Sequence, residues 1–215
     1  MTLPVGVHTG DIELSGDLTV PADAQAVVVF AHGSGSSRHS SRNRAVARTL
    51  QDSRCATLLF DLLSSAEEKA DEQTGHLRFD IELLTGRLVD ALELVASRDD
   101  VRDLPIGVFG ASTGAATALC AAARRPELVR AVVSRGGRPD LAGDELESVL
   151  PPTLLLVGDR DEQVMELNRQ VEPRLGGTRQ LTPIPGASHL FQEQGALEQV
   201  AEHAAQWFRT HLISG

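Results

Sequence analysis

The chain has 215 residues, of which 41% are hydrophobic and 23% charged, a length and balance that fit one globular domain and exclude a disordered chain. Its 20 Lys and Arg against 30 Asp and Glu give a formal net charge of −10, which excludes the concentrated basic surface that a nucleic-acid partner needs and leaves a small molecule as the expected ligand. With six Phe, one Trp and no Tyr, the core has to be built from aliphatic side chains and Ala.

Met1-Thr2-Leu3-Pro4-Val5 carries no basic segment and no apolar run of the secretory type, and no stretch approaches the ~18 apolar residues that span a bilayer. The expectation is a cytoplasmic protein with no membrane partner. Cys55 and Cys120 sit in apolar surroundings without metal-ligand spacing, so they are expected as buried, reduced thiols.

In chain order, the first ~20 residues alternate around Gly10 and Gly16, the pattern of an antiparallel addition at a sheet edge. Val27–Ala31 is a short continuous apolar run, expected as a strand buried on both faces, and it ends in His32-Gly33-Ser34-Gly35. The next segment, Ser36 to Arg44, holds Arg38, Arg42 and Arg44. A second strand is expected over Ala56–Phe60, ending at Asp61. The acidic stretch Ser64 to Gly75 is expected as a solvated loop, with a small flap as the alternative. Ile81, Leu84, Leu88, Leu92 and Val95 then recur on one helical face.

The third strand, Ile106–Phe109, leads into Gly110-Ala111-Ser112-Thr113-Gly114 and an Ala-rich helix over Ala115–Ala123. Strand, sharp turn and helix are the context in which G-x-S-x-G carries a nucleophile, because the serine needs a strained turn and small neighbours where strand and helix nearly touch. The helix N-terminus also favours a developing oxyanion. A serine hydroxyl needs a base, and the base an orienting acid. Strands four and five are expected over Val129–Val133, followed by Arg135 and Arg138, and over Thr153–Val157, followed by Asp159 and Asp161. A last strand beginning near Thr182 runs into a loop with His189, and a final helix presents Leu197, Val200, Ala201, Ala204 and Phe208. The order serine, acid, histidine, each after a strand, lets all three meet at the carboxyl edge of one mostly parallel α/β sheet.

Three elements, Gly110 to Gly114, Gly158-x-x-Asp161-x-x-Val164 and Gly186-x-x-His189-x-Phe191, together resemble the signature of the α/β-hydrolase superfamily, closest to its small capless dienelactone-hydrolase-like branch. One position departs from dienelactone hydrolases proper, which carry cysteine where this chain has Ser112. The resemblance implies a single α/β-hydrolase domain over 1–215 and a triad of Ser112, Asp161 and His189, with Asp161 preferred over Asp159 by its spacing. It also implies an oxyanion hole made by the backbone N–H groups of Ser34 and Thr113. Only ~15 residues separate the fourth and fifth strands, too few for a cap domain.

The expected activity is hydrolysis of a small carboxylic ester or thioester through an acyl-enzyme. Acyl transfer or perhydrolysis on the same triad, or a catalytically silent binding domain, are the alternatives. No metal-ligand cluster or nucleotide motif is present, so neither metal nor other cofactor is expected. Gly35, Arg38 and Arg135 are candidate substrate-binding residues, the arginines for an anionic group, unless they pair with acids such as Glu67, Glu68, Asp140 or Asp144. His32 is expected to have a structural role, and His8, His39, His76, His203 and His211 to lie at the surface.

Overall fold

Which strands can occupy the middle of a sheet is decided by their side chains, and four of the chain's strands have every residue buried. They are β3 (Ala26–Ala31), β4 (Cys55–Phe60), β5 (Ile106–Ala111) and β7 (Thr153–Gly158). The computed structural model describes residues 1–213, so the last two positions of the expected domain lie outside the described residues. Eight strands form one sheet in the order β1-β2-β4-β3-β5-β6-β7-β8, where β1 is Thr2–Thr9, β2 Ile12–Thr19, β6 Val129–Arg135 and β8 Arg179–Ile184. The pairs β1/β2 and β2/β4 are antiparallel and all the others parallel. As expected from the alternation, β2 buries Leu14, Gly16 and Leu18 on one face and turns Glu13 and Ser15 outward.

Helices cover both faces. Residues Val46, Ala47 and Leu50 of α1 (Ser41–Asp52) join one core layer, while α2 (Ser65–Thr74) buries only Asp71. Opposite α1 lie α3 (Ile81–Ser97), with Leu84, Leu88, Leu92 and Val95 inward, and α4 (Thr113–Arg124). Farther along, α5 (Glu162–Val171) follows β7, and α6 (Ala196–Phe208) packs beside α1 through Val200, Ala204 and Phe208. Strands β5, β6 and β7 run one or two residues past their apolar runs because the ladders continue into the turns that follow, while β3 and β4 begin one residue earlier than expected and β8 three. Between β6 and β7 only 3₁₀ turns over Pro139–Ser148 intervene, and no cap domain is present among the described residues. Both cysteines are buried and free, and burial pushes the Cys55 thiol up to about 11 and the Cys120 thiol up to about 12.

One expectation fails here. Residues Ser65–Thr74 are an α-helix capped by Ser64 and Gly75, rather than a solvated loop. Ser64 accepts from the Glu67 N–H at 3.3 Å while the Glu67 carboxylate takes the Ser64 N–H at 2.8 Å, and Gly75 closes the helix at φ 66°. The S-x-x-E spacing and the terminal glycine were both visible in the sequence, but an acidic segment with no apolar stripe masked them. What holds this helix is electrostatic. The buried Asp71 carboxylate takes Arg78 Nε at 2.6 Å and the Leu77 N–H at 2.7 Å. Arg87 of α3 reaches Glu67 at 2.5 Å and the Leu62 carbonyl at 2.6 Å. Burial opposes ionisation of both acids, yet these bonds outweigh it and hold the Asp71 and Glu67 carboxyls below the usual carboxylate range. No described helix is long and apolar enough to cross a membrane.

Candidate active site

The turn between β5 and α4 forces Ser112 into φ 53°, ψ −122°, a conformation a non-glycine residue adopts only when its surroundings over-determine it. Those surroundings are explicit. The Ser112 N–H donates to the Arg135 carbonyl at 3.1 Å, and the Ser112 carbonyl accepts from Arg138 N–H at 3.1 Å and Ala115 N–H at 3.0 Å. Gly114 lets the helix approach β3, since a Cβ there would stand 2.3 Å from the Ala31 carbonyl oxygen. Ser112 thus projects from the carboxyl edge at the N-terminus of α4, whose first N–H groups have no acceptor within the helix.

After β7 the chain turns through Gly158, where a Cβ would fall 2.3 Å from the Ala187 carbonyl oxygen, so the acid loop and the histidine loop are in close backbone contact. Asp161 Oδ2 lies 2.6 Å from His189 Nδ1, and its Oδ1 accepts from the Val164 N–H at the start of α5. Asp159 has different work: its Oδ1 accepts the Gly186 N–H at 2.8 Å and so fixes the loop that carries the histidine. His189 is 42% exposed at its side chain, which leaves the imidazole open to solvent. Ser112 and His189 line one cavity of about 230 Å³, together with Gly33, Ser34, Ser36, Ser40, Arg42, Asn43, Ala111, Arg135, Gly136 and Leu190. No hydrogen bond joins the Ser112 hydroxyl to the imidazole among the described residues.

The loop after β3 is set by His32, which is buried. Its Nε2 accepts the Leu62 N–H at 3.0 Å and its Nδ1 lies 2.9 Å from the Gly33 carbonyl, an arrangement of a neutral ring. Burial lowers the His32 pKa, against the opposing influence of the Gly33 carbonyl, in keeping with that tautomer. Ser34 and Thr113, the two residues expected to supply oxyanion donors, do meet, but through the Thr113 hydroxyl: Ser34 N–H donates to Oγ1 at 2.8 Å. The Ser34 amide is therefore engaged, whereas the Thr113 amide heads α4.

The arginines divide. Arg38 is not in the serine cavity: it pairs with Asp61 and, at 3.6 Å, with Asp17, a fixture of the loop after β3. Arg138 pairs with Asp140 at 2.7 Å. Arg135 is only 8% exposed, lies over the Phe191 ring at 6.0 Å, and makes no ion pair among the described residues. Burial, with the Arg42 charge adding to it, pulls the Arg135 guanidinium down to about 10, so it stays cationic at neutral pH. Gly35 lies in a neighbouring cavity of about 550 Å³, bounded by Leu62, Leu63, Glu68, Asp71, Glu72 and Arg78, which shares Gly33, Ser34, Ser36 and Ser40 with the first. The sequence reading missed Asn43 and the wall formed by α2. It also missed that Arg42, rather than Arg38, lines the Ser112 cavity: Arg38 precedes α1 and is drawn away by Asp61 and Asp17, whereas Arg42 stands in the first turn of the helix. Of the histidines expected at the surface, His203 and His211 are half-buried.

Residues 26–196 match the family model described as alpha/beta hydrolase fold. A solved structure of a dienelactone hydrolase from Anabaena variabilis is 51% identical, with a TM-score of 0.97 over 99% of this chain and 98% of that one. Est1E from Butyrivibrio proteoclasticus shares the fold at a TM-score of 0.81 and 18% identity, over 99% of both chains. In Mycobacterium tuberculosis, proteins bearing the name “Putative phosphoribosyl transferase” are 56% identical over 208 residues, 97% of this chain and 46% of theirs. The chain thus spans about half the length of the curated relatives it matches. On the family match over residues 26–196 and the 51% identity across nearly all of the Anabaena chain, the chain belongs to the α/β-hydrolase family.

Proposed function

We propose that the protein is a serine hydrolase that cleaves a small carboxylic ester or thioester through an acyl-enzyme. The observation that carries this reading is the 2.6 Å contact between His189 Nδ1 and Asp161 Oδ2 at the mouth of the cavity that contains Ser112. With Nδ1–H committed to the carboxylate, Nε2 is the basic nitrogen and accepts the Ser112 proton as Oγ attacks the carbonyl carbon. Negative charge moves to the former carbonyl oxygen, where the Thr113 N–H and the positive end of α4 stabilise it. The Ser34 N–H joins them as a shared donor while it keeps Thr113 Oγ1. His189 then gives its proton to the leaving alcohol or thiol. Water, deprotonated by the same imidazole, releases the acid and restores Ser112.

Two features favour water over another acyl acceptor and a short acyl group over a long one. The imidazole is 42% exposed, so solvent reaches the acyl-enzyme. The cavity of about 230 Å³ offers Leu190 as its one large aliphatic side chain, and a methylene contributes ~0.8 kcal/mol only where apolar surface covers it. The name carried by the Mycobacterium tuberculosis relatives belongs to proteins more than twice as long as the stretch they share with this chain. Acyl chemistry at Ser112 concerns that stretch alone.

The test is covalent labelling with a fluorophosphonate, read by mass spectrometry of the modified peptide, together with turnover of short-chain esters. Label on Ser112, and a fall of roughly 10⁴-fold or more in kcat for Ser112→Ala with an unchanged melting curve, are expected. An unlabelled serine in the folded protein overturns the proposal.

A further inference from the structure

Buried polar groups in folded proteins almost always find partners, so a group of them left without is a sign that something else completes the site. Three such atoms sit on residues of one wall of the Ser112 cavity. Arg42 Nε, Asn43 Oδ1 and Arg135 Nη1 are all buried with no hydrogen-bond partner, and all three residues line that cavity. Neither Arg42 nor Arg135 makes an ion pair among the described residues, although Arg38, Arg78, Arg87, Arg124 and Arg138 in the same acidic protein each find a carboxylate. Keeping an unpaired guanidinium in a mostly buried position, with a second one near it, is costly unless an anion compensates.

The fold explains why the two converge. Ala111 and Arg135 are register partners at the carboxyl ends of β5 and β6, one residue before Ser112. Along β6, Arg135 alternates in phase with Ala131 and Val133, which face the layer covered by α1 and α6. Arg42 stands in the first turn of α1, over that same face. The Phe191 ring under Arg135 holds the guanidinium by stacking and offers it no competing charge.

We infer that Arg42 and Arg135 form an anion-binding subsite for the substrate of Ser112, so that the enzyme selects esters or thioesters whose acyl part ends in a carboxylate or phosphate-type group. This rests on the serine-hydrolase reading for its use, but the binding itself does not. The planar guanidinium forks match two-oxygen anions, and their common cavity with Ser112 puts a short tether between anion and reacting carbonyl. The anion occupies a place fixed before the reaction begins and thereby orients the carbonyl toward Oγ.

The experiment uses Ser112→Ala protein, which retains the cavity and does not turn the ligands over. Calorimetry compares monomethyl glutarate, methyl 4-phosphonobutanoate and the neutral dimethyl glutarate. At least one of the two anionic monoesters is expected to bind roughly 30-fold or more tightly than the diester, and the tighter of them identifies carboxylate or phosphate-type recognition. Arg42→Gln should remove most of that ratio. Arg42 lies on a helix turn and is a milder change than Arg135→Gln, for which Arg135→Lys serves as the charge-retaining control. In the Ser112 enzyme the same ratio should appear in kcat/KM and fall in the variants mainly through KM. Equal binding of diester and monoanions, or a ratio that survives Arg42→Gln, overturns the subsite. Tight monoanion binding without fluorophosphonate labelling would retire the hydrolase reading and leave the subsite standing, whereas labelling without anion preference retires the subsite alone.

Discussion

The two cavities that flank the loop after β3 share four residues and differ in how their charges are settled. On the Ser112 side, Arg42 and Arg135 face open space without counter-charges among the described residues. On the α2 side the charges that fasten the helix are paired, Asp71 with Arg78 and Glu67 with Arg87. Both sides contain buried charge at similar depth, so burial alone does not mark function. The informative quantity is whether a charge is already neutralised by the chain itself. Settled charges fix a wall in place, and unsettled ones are available to a ligand.

This contrast predicts that substitutions on one side change chemistry and leave stability, while those on the other do the reverse. Asp161→Asn should lower kcat by roughly 10²–10⁴-fold with little change in melting temperature, because the amide favours the wrong imidazole tautomer. Asp159→Asn should cost far less activity, since Asp159 holds the Gly186 N–H and not the imidazole. Steady-state kinetics on a short ester rank the two, and the reverse order would move the acid to Asp159. Arg87→Met should act oppositely: it strands Glu67 and the Leu62 carbonyl, costing about 3 kcal/mol, or roughly 6–12 °C in Tm for a domain of this size. The rate of fluorophosphonate labelling of the folded protein should change little, and a labelling rate that collapsed with Tm would show that α2 and the serine are one unit.

The smallest expected effect sharpens the same point through pH. The Glu67 carboxyl in the folded protein is held below its unfolded value, so its contribution to stability is complete above the unfolded range, about 4.3, and is lost as pH falls through the lower folded value. The difference in Tm between wild type and Glu67→Gln should therefore be widest near neutrality and shrink below about pH 4. A difference that grew on acidification would mean that burial, and not Arg87, dominates that carboxyl.

Much of the fold was legible because β3, β4, β5 and β7 are buried on both faces and so are written as unbroken apolar runs. The turn at Ser112 was legible for a related reason: Gly110 and Gly114 mark a close approach that tolerates nothing larger. The mutual placement of the loops was harder to read. Choosing Asp161 over Asp159 needed family spacing, since both acids follow β7 and both accept a hydrogen bond at this edge. Choosing Arg42 over Arg38 needed the tertiary partners of the loop before α1, where Asp61 and Asp17 claim Arg38, and three arginines in one short segment do not encode them. The helix α2 stayed hidden because hydrophobic periodicity detects only helices that pack by apolar contact. The Ser34 amide, expected as an oxyanion donor, has an acceptor that no local pattern announces, a hydroxyl 79 residues away in sequence.

Helix α2 contributes no apolar side chain to the core and is fastened by a capping box and two ion pairs at residues 64, 67, 71, 78 and 87. Its remaining positions are almost free of packing duties, and two of them, Glu68 and Glu72, border the larger cavity. In design terms the segment is an exchangeable cassette. The face that α2 turns to the larger cavity can be rewritten while the five fastening residues stay constant, without disturbing the sheet or the turn at Ser112. A library randomised at Glu68 and Glu72, with those five positions held fixed, is therefore the economical place to change what the larger cavity admits.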